Sequence, residues 1–397
     1  MKSSTIGLAF VGLALGLSAT AASAQLAISA NDGKQPRLGQ VPSDVKPDNV
    51  TVIDLGHYPP KVIGKVDVPV SMIGPPTIVG VAPDSSFAIV TNGQKFDPAN
   101  PTKFILDDTV SVIDLKDPTN PQVIQTIKAG DGASGVAINR AGTLALVAAT
   151  GEGTISVYSI KSKTLTLVDK LQLDAKAGPV DVNIAPDGKT ALVTQRRGNG
   201  MWRLAIQGTK VTDTGVMYGT GGNPYGSVIG LDGRYAYNTN LLGTLPPAGT
   251  PERRGPGGPA RIGTVTAVDL KTNKIVNTVE VGPTPEHVAL SADGRYLEVT
   301  VVNGSSANPV SAQFSPFGLM QVYRVNGPTL TLVAQAQTGQ WGQGATWSND
   351  GRTILLQGAV AREIEVYRFD GKSLKRDMAA TLKFDTRPGA ISTARSR

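Results

Sequence analysis

The chain has 397 residues, a formal net charge of +7, a pI near 9.4 and no cysteine. The lack of thiols excludes disulfides, thiolate metal sites, a cysteine nucleophile and covalently attached c-type haem. The length suffices for one large core, and the moderate basic excess suits ordinary surface charge or an anionic partner.

Lys2, an apolar run over residues 6–17 and Ala22-Ser23-Ala24 have the order of a secretory signal peptide cleaved after Ala24. The expected product is a periplasmic chain, residues 25–397, forming a single domain. No other stretch approaches ~18 uninterrupted apolar residues, so no transmembrane anchor is expected. Residues 26–31 read as a strand with no partner before it. Seven strands with period-2 alternation then follow, at 49–55, 109–115, 154–160, 201–206, 264–270, 319–325 and 363–369. Between them one turn recurs six times: Ala82-Pro83-Asp84, Asn139-Arg140-Ala141-Gly142, Ala185-Pro186-Asp187-Gly188, Leu231-Asp232-Gly233, Ala292-Asp293-Gly294 and Asn349-Asp350-Gly351. Asp or Asn followed by Gly is expected to supply the positive-φ residues of a tight hairpin. The period of roughly 45 to 60 residues is that of propeller blades.

Each unit adds a further strand after a polar turn, as at 122–127 and 274–279, giving four antiparallel strands, A to D. No segment sustains a 3.6-residue apolar period. Six A–B hairpins against seven C strands leave one blade short of an A strand, which residues 388–393 supply from the C-terminus. The fold expected is an all-β, seven-bladed β-propeller whose N- and C-terminal strands share one blade, abolishing open sheet edges.

The stretches Ala185-Pro186-Asp187-Gly188-Lys189-Thr190-Ala191-Leu192-Val193-Thr194 and Phe87-Ala88-Ile89-Val90-Thr91-Asn92-Gly93, with the Val-x-Val-Ile-Asp-Leu strands, resemble the YVTN family. These are seven-bladed propellers grouped with the lactonase-like propellers, and the resemblance covers the whole mature chain. It implies a fold more than a function, since the family holds enzymes and binding proteins alike.

Insertions at 94–108, 242–262 and 304–317 all fall between strands B and C. B–C loops share one rim with the D–A connections between blades, so function is expected there. The middle insertion carries Arg253, Arg254 and Arg261 among prolines and glycines; with Arg196 and Arg197 they suggest a basic collar for carboxylate or phosphate. The D–A segments add Asn223, Tyr225, Glu286, His287, Trp341 and Gln343 as ligand-binding candidates, Trp341 as a ring able to stack. Lactonase-like propellers carry Pro-Arg-His in a D–A segment and a glutamate after an asparagine at the end of the next B strand. This chain keeps Pro285 and His287 but has Glu286 for the arginine and Gly304 for the glutamate.

The first reading is therefore a cofactor-free binding module for an anionic small molecule or a periplasmic protein. The alternative is a divergent lactone hydrolase with His287 as catalytic base and a loop arginine at the oxyanion. Nucleic-acid binding ranks third, because aromatics are not interleaved with the basic residues. No metal site is expected: His57 and His287 fall on opposite faces, and no acidic cluster has calcium-loop spacing. Asp107-Asp108 reads as a solvent-exposed pair.

Overall fold

The computed structural model describes residues 25–34, 44–72, 75–174, 176–244 and 261–394. The leader and Arg253 and Arg254 lie outside them. The described residues form strands and turns, with no helix long and apolar enough to cross a membrane. Seven antiparallel sheets of at least four strands are arranged with strand A innermost. Blade 2 begins with Val79–Val81, blade 3 with Ala133–Ile138, blade 4 with Pro179–Ile184, blade 5 with Pro224–Ile229, blade 6 with Pro285–Leu290 and blade 7 with Gly342–Trp347. Blade 1 takes its A strand, Arg387–Thr393, from the C-terminus and its B strand, Leu26–Asp32, from the N-terminus. The inner strands touch in sequence and return to the first, so the ring is closed.

The A–B turns show how the sequence makes each blade. Gly142, Gly188, Gly233, Gly294 and Gly351 have φ between 67° and 70°, and Ser85 takes the same place at 58°. The neighbouring Asp does not share the positive φ, which corrects the sequence expectation. Gly188 N–H bonds the Ala185 carbonyl while Ala185 N–H bonds Thr190, closing a four-residue loop rather than a two-residue one. The Asp instead accepts from the backbone two residues on: Asp187 from Lys189, Asp232 from Arg234, Asp293 from Arg295 and Asp350 from Arg352, at 2.9–3.0 Å.

Packing lies between blades. Alternate apolar residues of neighbouring sheets interdigitate, as where Leu146, Val157, Val182 and Val193 join blades 3 and 4. Each such side chain contributes about 1.5–3 kcal/mol by burial. Threonines on or just after strand B add cross-blade bonds to the next A strand: Thr91 to the Ser134 carbonyl, Thr150 to Pro179 and Thr194 to Tyr225, at 2.5–2.9 Å. The outermost D strands bulge opposite strand C in six blades, with one extra residue at Ile63, Ile124, Val168, Val276 and Val333 and two, Thr214 and Gly215, in blade 4. These are β-bulges at sheet edges.

The terminal strands are also joined by an ion pair. Arg387 donates through Nε and Nη2 to Asp32 Oδ2 at 3.2 and 3.0 Å, with both side chains buried.

Candidate functional site

One rim gathers the B–C loops and the D–A connections, because their backbones bond to each other. Arg196 N–H bonds the Gly178 carbonyl, Leu242 bonds Gly222, Asn303 bonds Pro283 and Ala359 bonds Trp341. The first insertion is not a loose loop. It extends blade 2 as a hairpin, Phe87–Asp97 against Asn100–Asp114, with Phe96 stacked on Phe104 at 5.1 Å. Asp107 is correspondingly buried, against the exposed placement expected: it accepts from Asn92 and Thr109 and pairs with Lys95 at 2.9 Å. Asp108 pairs with Lys128. The third insertion folds back on the ring, where the Ser305 hydroxyl accepts from Trp341 N–H at 2.9 Å.

The entry into the channel is built by repetition. The residue before an A strand adopts a left-handed backbone: Gly132, Gly178, Asn223, Thr284 and Trp341, with φ from 55° to 77°. For β-branched Thr284 and bulky Trp341 this is a strained conformation, of the kind held at functional sites by surrounding structure. Each of these A strands then slips register against strand B within its first residues, between Pro224 and Ser227, Pro285 and His287, and Gly342 and Ala345. The slipped residues include Tyr225, Glu286 and Gln343. A one-residue slip re-aims side chains.

Five of the sequence candidates meet here. Arg196 donates through Nε to Asn223 Oδ1 at 2.9 Å, and its guanidinium carbon lies 4.9 Å from the centre of the Tyr225 ring. Its terminal nitrogens have no bond among the described residues, and the side chain is half-buried. Gln343 donates to Glu286 at 2.6 Å. Burial pushes the Glu286 carboxyl up to about 7, against the opposing pull of the Arg196 and Arg387 guanidiniums and the Gln343 amide. Protein surrounds this carboxyl, while the residue as a whole is only partly buried. Burial also raises the Tyr225 hydroxyl.

The other candidates are placed differently. Arg197 turns away and donates to the carbonyls of Lys176 and Thr150. Trp341 is 1% exposed and packs with Val302 and Ala359, while the Arg387 guanidinium lies 4.9 Å from its ring centre. It is therefore a wall of the site, not an open platform. His287 faces away from Glu286, as alternation requires. Its Nδ1 accepts from Ala345 N–H at 3.3 Å and stands 4.0 Å from the buried Glu298 carboxyl, itself pushed up to about 8 by burial. His57 lies on an exposed C–D turn beside Asp54. No group of three or more His, Cys, Asp or Glu suited to a metal ion occurs among the described residues.

Arg387 was not among the sequence candidates. Its signal was the single charge of the closing strand, Arg387–Thr393, matched by Asp32 at the end of the N-terminal strand.

Fold and mouth together define the class: a seven-bladed propeller with a polar, arginine-lined entry on its elaborated rim. Its architecture is that of lactonase-like propellers. A putative 6-phosphogluconolactonase from Bacteroides fragilis superimposes with a TM-score of 0.68 at 17% identity, covering 94% of this chain and 99% of that one. The periplasmic gluconolactonase of Pseudomonas aeruginosa gives 0.64 at 16%, covering 94% and 99%. A functionally unknown protein from Desulfotomaculum acetoxidans gives 0.65 at 13%, again covering 94% and 99%. At these identities the likeness concerns the fold. No family model matches. Among curated proteins, antigen Lp49 of Leptospira interrogans is 29% identical over 109 residues, 27% of this chain and 23% of that protein's length.

Proposed function

We propose that this is an exported propeller that holds an anionic small ligand, of the sugar-acid kind, at the D–A mouth. The observation that carries the reading is Arg196: a half-buried guanidinium fixed by Asn223 and Tyr225, with its terminal N–H groups unbonded among the described residues. A guanidinium so held loses little freedom when a carboxylate docks on it in two-point fashion. The signal-like leader supports export, and the gluconolactonase names of two structural neighbours support the ligand class.

Glu286 makes binding depend on pH. Near its midpoint of about 7 the carboxyl is half ionised, and its charge opposes an anion. Affinity therefore rises as pH falls from 8 to 6. Titration calorimetry with gluconate and 6-phosphogluconate tests this. Arg196→Ala should weaken binding about tenfold or more, and Glu286→Gln should flatten the pH dependence. Binding untouched by Arg196→Ala would refute the site.

A second reading, lactone hydrolysis, is favoured by one observation: a carboxyl that titrates near neutrality beside two guanidiniums is equipped as base and oxyanion partner. In that reading Glu286 replaces His287 as the base, because His287 faces the other way. Turnover of gluconolactone abolished by Glu286→Gln but retained in His287→Ala supports it; the reverse pattern returns the role to His287.

A further inference from the structure

The face opposite the mouth is built from the A–B and C–D turns, and its unbalanced charge gathers on blades 3 to 6. The C–D turns there join Thr154–Lys161 to Thr164–Gln172, Gly200–Gln207 to Lys210–Tyr218, Gly263–Asp269 to Lys274–Gly282, and Gly318–Asn326 to Thr329–Thr338. With three strand residues on either side, these turns carry Lys161, Lys163, Lys210, Lys271, Lys274 and Arg324. One acid accompanies them, Asp269, which is buried and paired with Arg234 at 3.1 Å. Lys163 pairs with Asp114, and the other five cations are exposed with no ion pair among the described residues.

The A–B turns of the same blades form an inner arc. They add Arg140, Lys189, Arg234 and Arg295 against Asp187, Asp232 and Asp293. Those aspartates are short and held down by main-chain N–H groups two residues on, whereas long basic side chains project past them. The other three blades offset their cations on this face with Asp54, Asp84, Asp114, Asp117, Asp350 and Asp370. Exposed apolar side chains lie among the basic turns: Leu231 in the blade 5 A–B turn, Ile275 and Val276 next to Lys274, and Leu332 in blade 6.

The two arcs make an area and not a track. A nucleic-acid strand calls for a groove along its backbone and bare aromatic platforms. Tyr235 and Tyr296 lie instead under Arg234 and Arg295, whose guanidinium carbons are 4.9 and 5.9 Å from the ring centres. A broad basic patch interspersed with apolar side chains matches a planar anionic surface with an apolar layer beneath it. We propose that the blade 3 to 6 sector docks on an anionic lipid surface. Headgroup phosphates meet the C–D lysines, while Leu231, Ile275 and Val276 rest at the acyl boundary. The mouth, on the opposite face, then stays open to its ligand.

Cosedimentation of the whole protein with vesicles of phosphatidylcholine, alone or with about 30% phosphatidylglycerol, tests this. Partitioning onto the anionic vesicles should be about tenfold stronger or more at low salt, and should fall steeply in about 0.5 M salt. Lys210→Glu/Lys271→Glu should weaken it about tenfold, with the melting curve unchanged. Lys103→Glu/Lys176→Glu changes the net charge equally on the mouth rim and should leave partitioning within about twofold. The chain has no cysteine, so one dye can be placed at will. On Thr272→Cys, in the blade 5 C–D turn, its emission should shift to the blue with vesicles; on Ala99→Cys, at the tip of the rim hairpin, it should not. No preference for anionic vesicles, equal losses in the two double variants, or a shift at Ala99→Cys alone would each overturn the proposal. So would an oligonucleotide that binds as tightly as vesicles of matched charge.

Discussion

Replacing Arg387 with Met removes one half of the ion pair that joins the two ends of the chain. The guanidinium is 1% exposed and the Asp32 side chain 0%, so water cannot take its place. Asp32 keeps the Lys34 N–H on its other oxygen at 2.8 Å, but loses both charged donors. An uncompensated buried carboxylate costs about 3–5 kcal/mol, a large share of the stability of an ordinary domain. The Trp341 ring loses its cation as well, which adds about 0.5–2 kcal/mol. Urea unfolding followed by tryptophan fluorescence reads the loss. Burial already raises the Asp32 carboxyl, and without Arg387 it rises further, so the variant regains stability towards acid by taking up a proton. Adding Asp32→Asn removes the stranded charge and should recover about half of the loss at pH 7.5. A single-mutant loss below about 1 kcal/mol, or a double mutant no better than the single, would show that the pair does not hold the ring shut.

Four further outcomes follow from the same structure. Deleting residues 386–397 removes the whole inner strand of blade 1 and should lower the melting temperature by about 10 °C or more; an unchanged calorimetric scan contradicts closure through that strand. Glu298 titrates at about 8 when folded against 4.5 when unfolded, so between these values the folded chain holds a proton that the unfolded chain has released. Stability then falls as pH rises from 4.5 to 8, by up to about 1.4 kcal/mol per pH unit, and Glu298→Gln should remove that slope in denaturation series. Gly188→Ala meets nothing within 4 Å and costs about 1 kcal/mol from its φ of 67° alone. Gly226→Ala drives a Cβ to 2.8 Å from the Glu286 carbonyl oxygen and should cost more, about 1–3 kcal/mol, as measured by the shift in urea midpoint.

The architecture was legible because it is written seven times: turn glycines such as Gly188 and Gly294 punctuate alternating strands whose period leaves few alternatives. Closure was legible for the same reason, since one blade lacked an A strand and residues 388–393 matched its pattern. The mouth was legible by element and not by geometry. Asn223, Tyr225, Glu286 and Gln343 lay in D–A segments, but which of them converge depends on a register slip that alternation does not encode. Arg196 and Arg197 look alike in sequence; only the fold turns one to Asn223 and the other to backbone carbonyls. Arg387 escaped notice because its partner is 355 residues away. The hairpin at 94–108 was hidden by its prolines and lysines, although Phe96 and Phe104 flank its tip.

The perimeter of the wheel has a consequence for life at high concentration. Ile124, Val168 and Val276 sit there in the open, on outer strands that in straight form would invite a second molecule to continue the sheet. The kink beside each of them breaks the ladder of free amides into pieces too short to recruit a neighbour. The bends thus oppose edge-to-edge growth of one wheel's sheets onto another's.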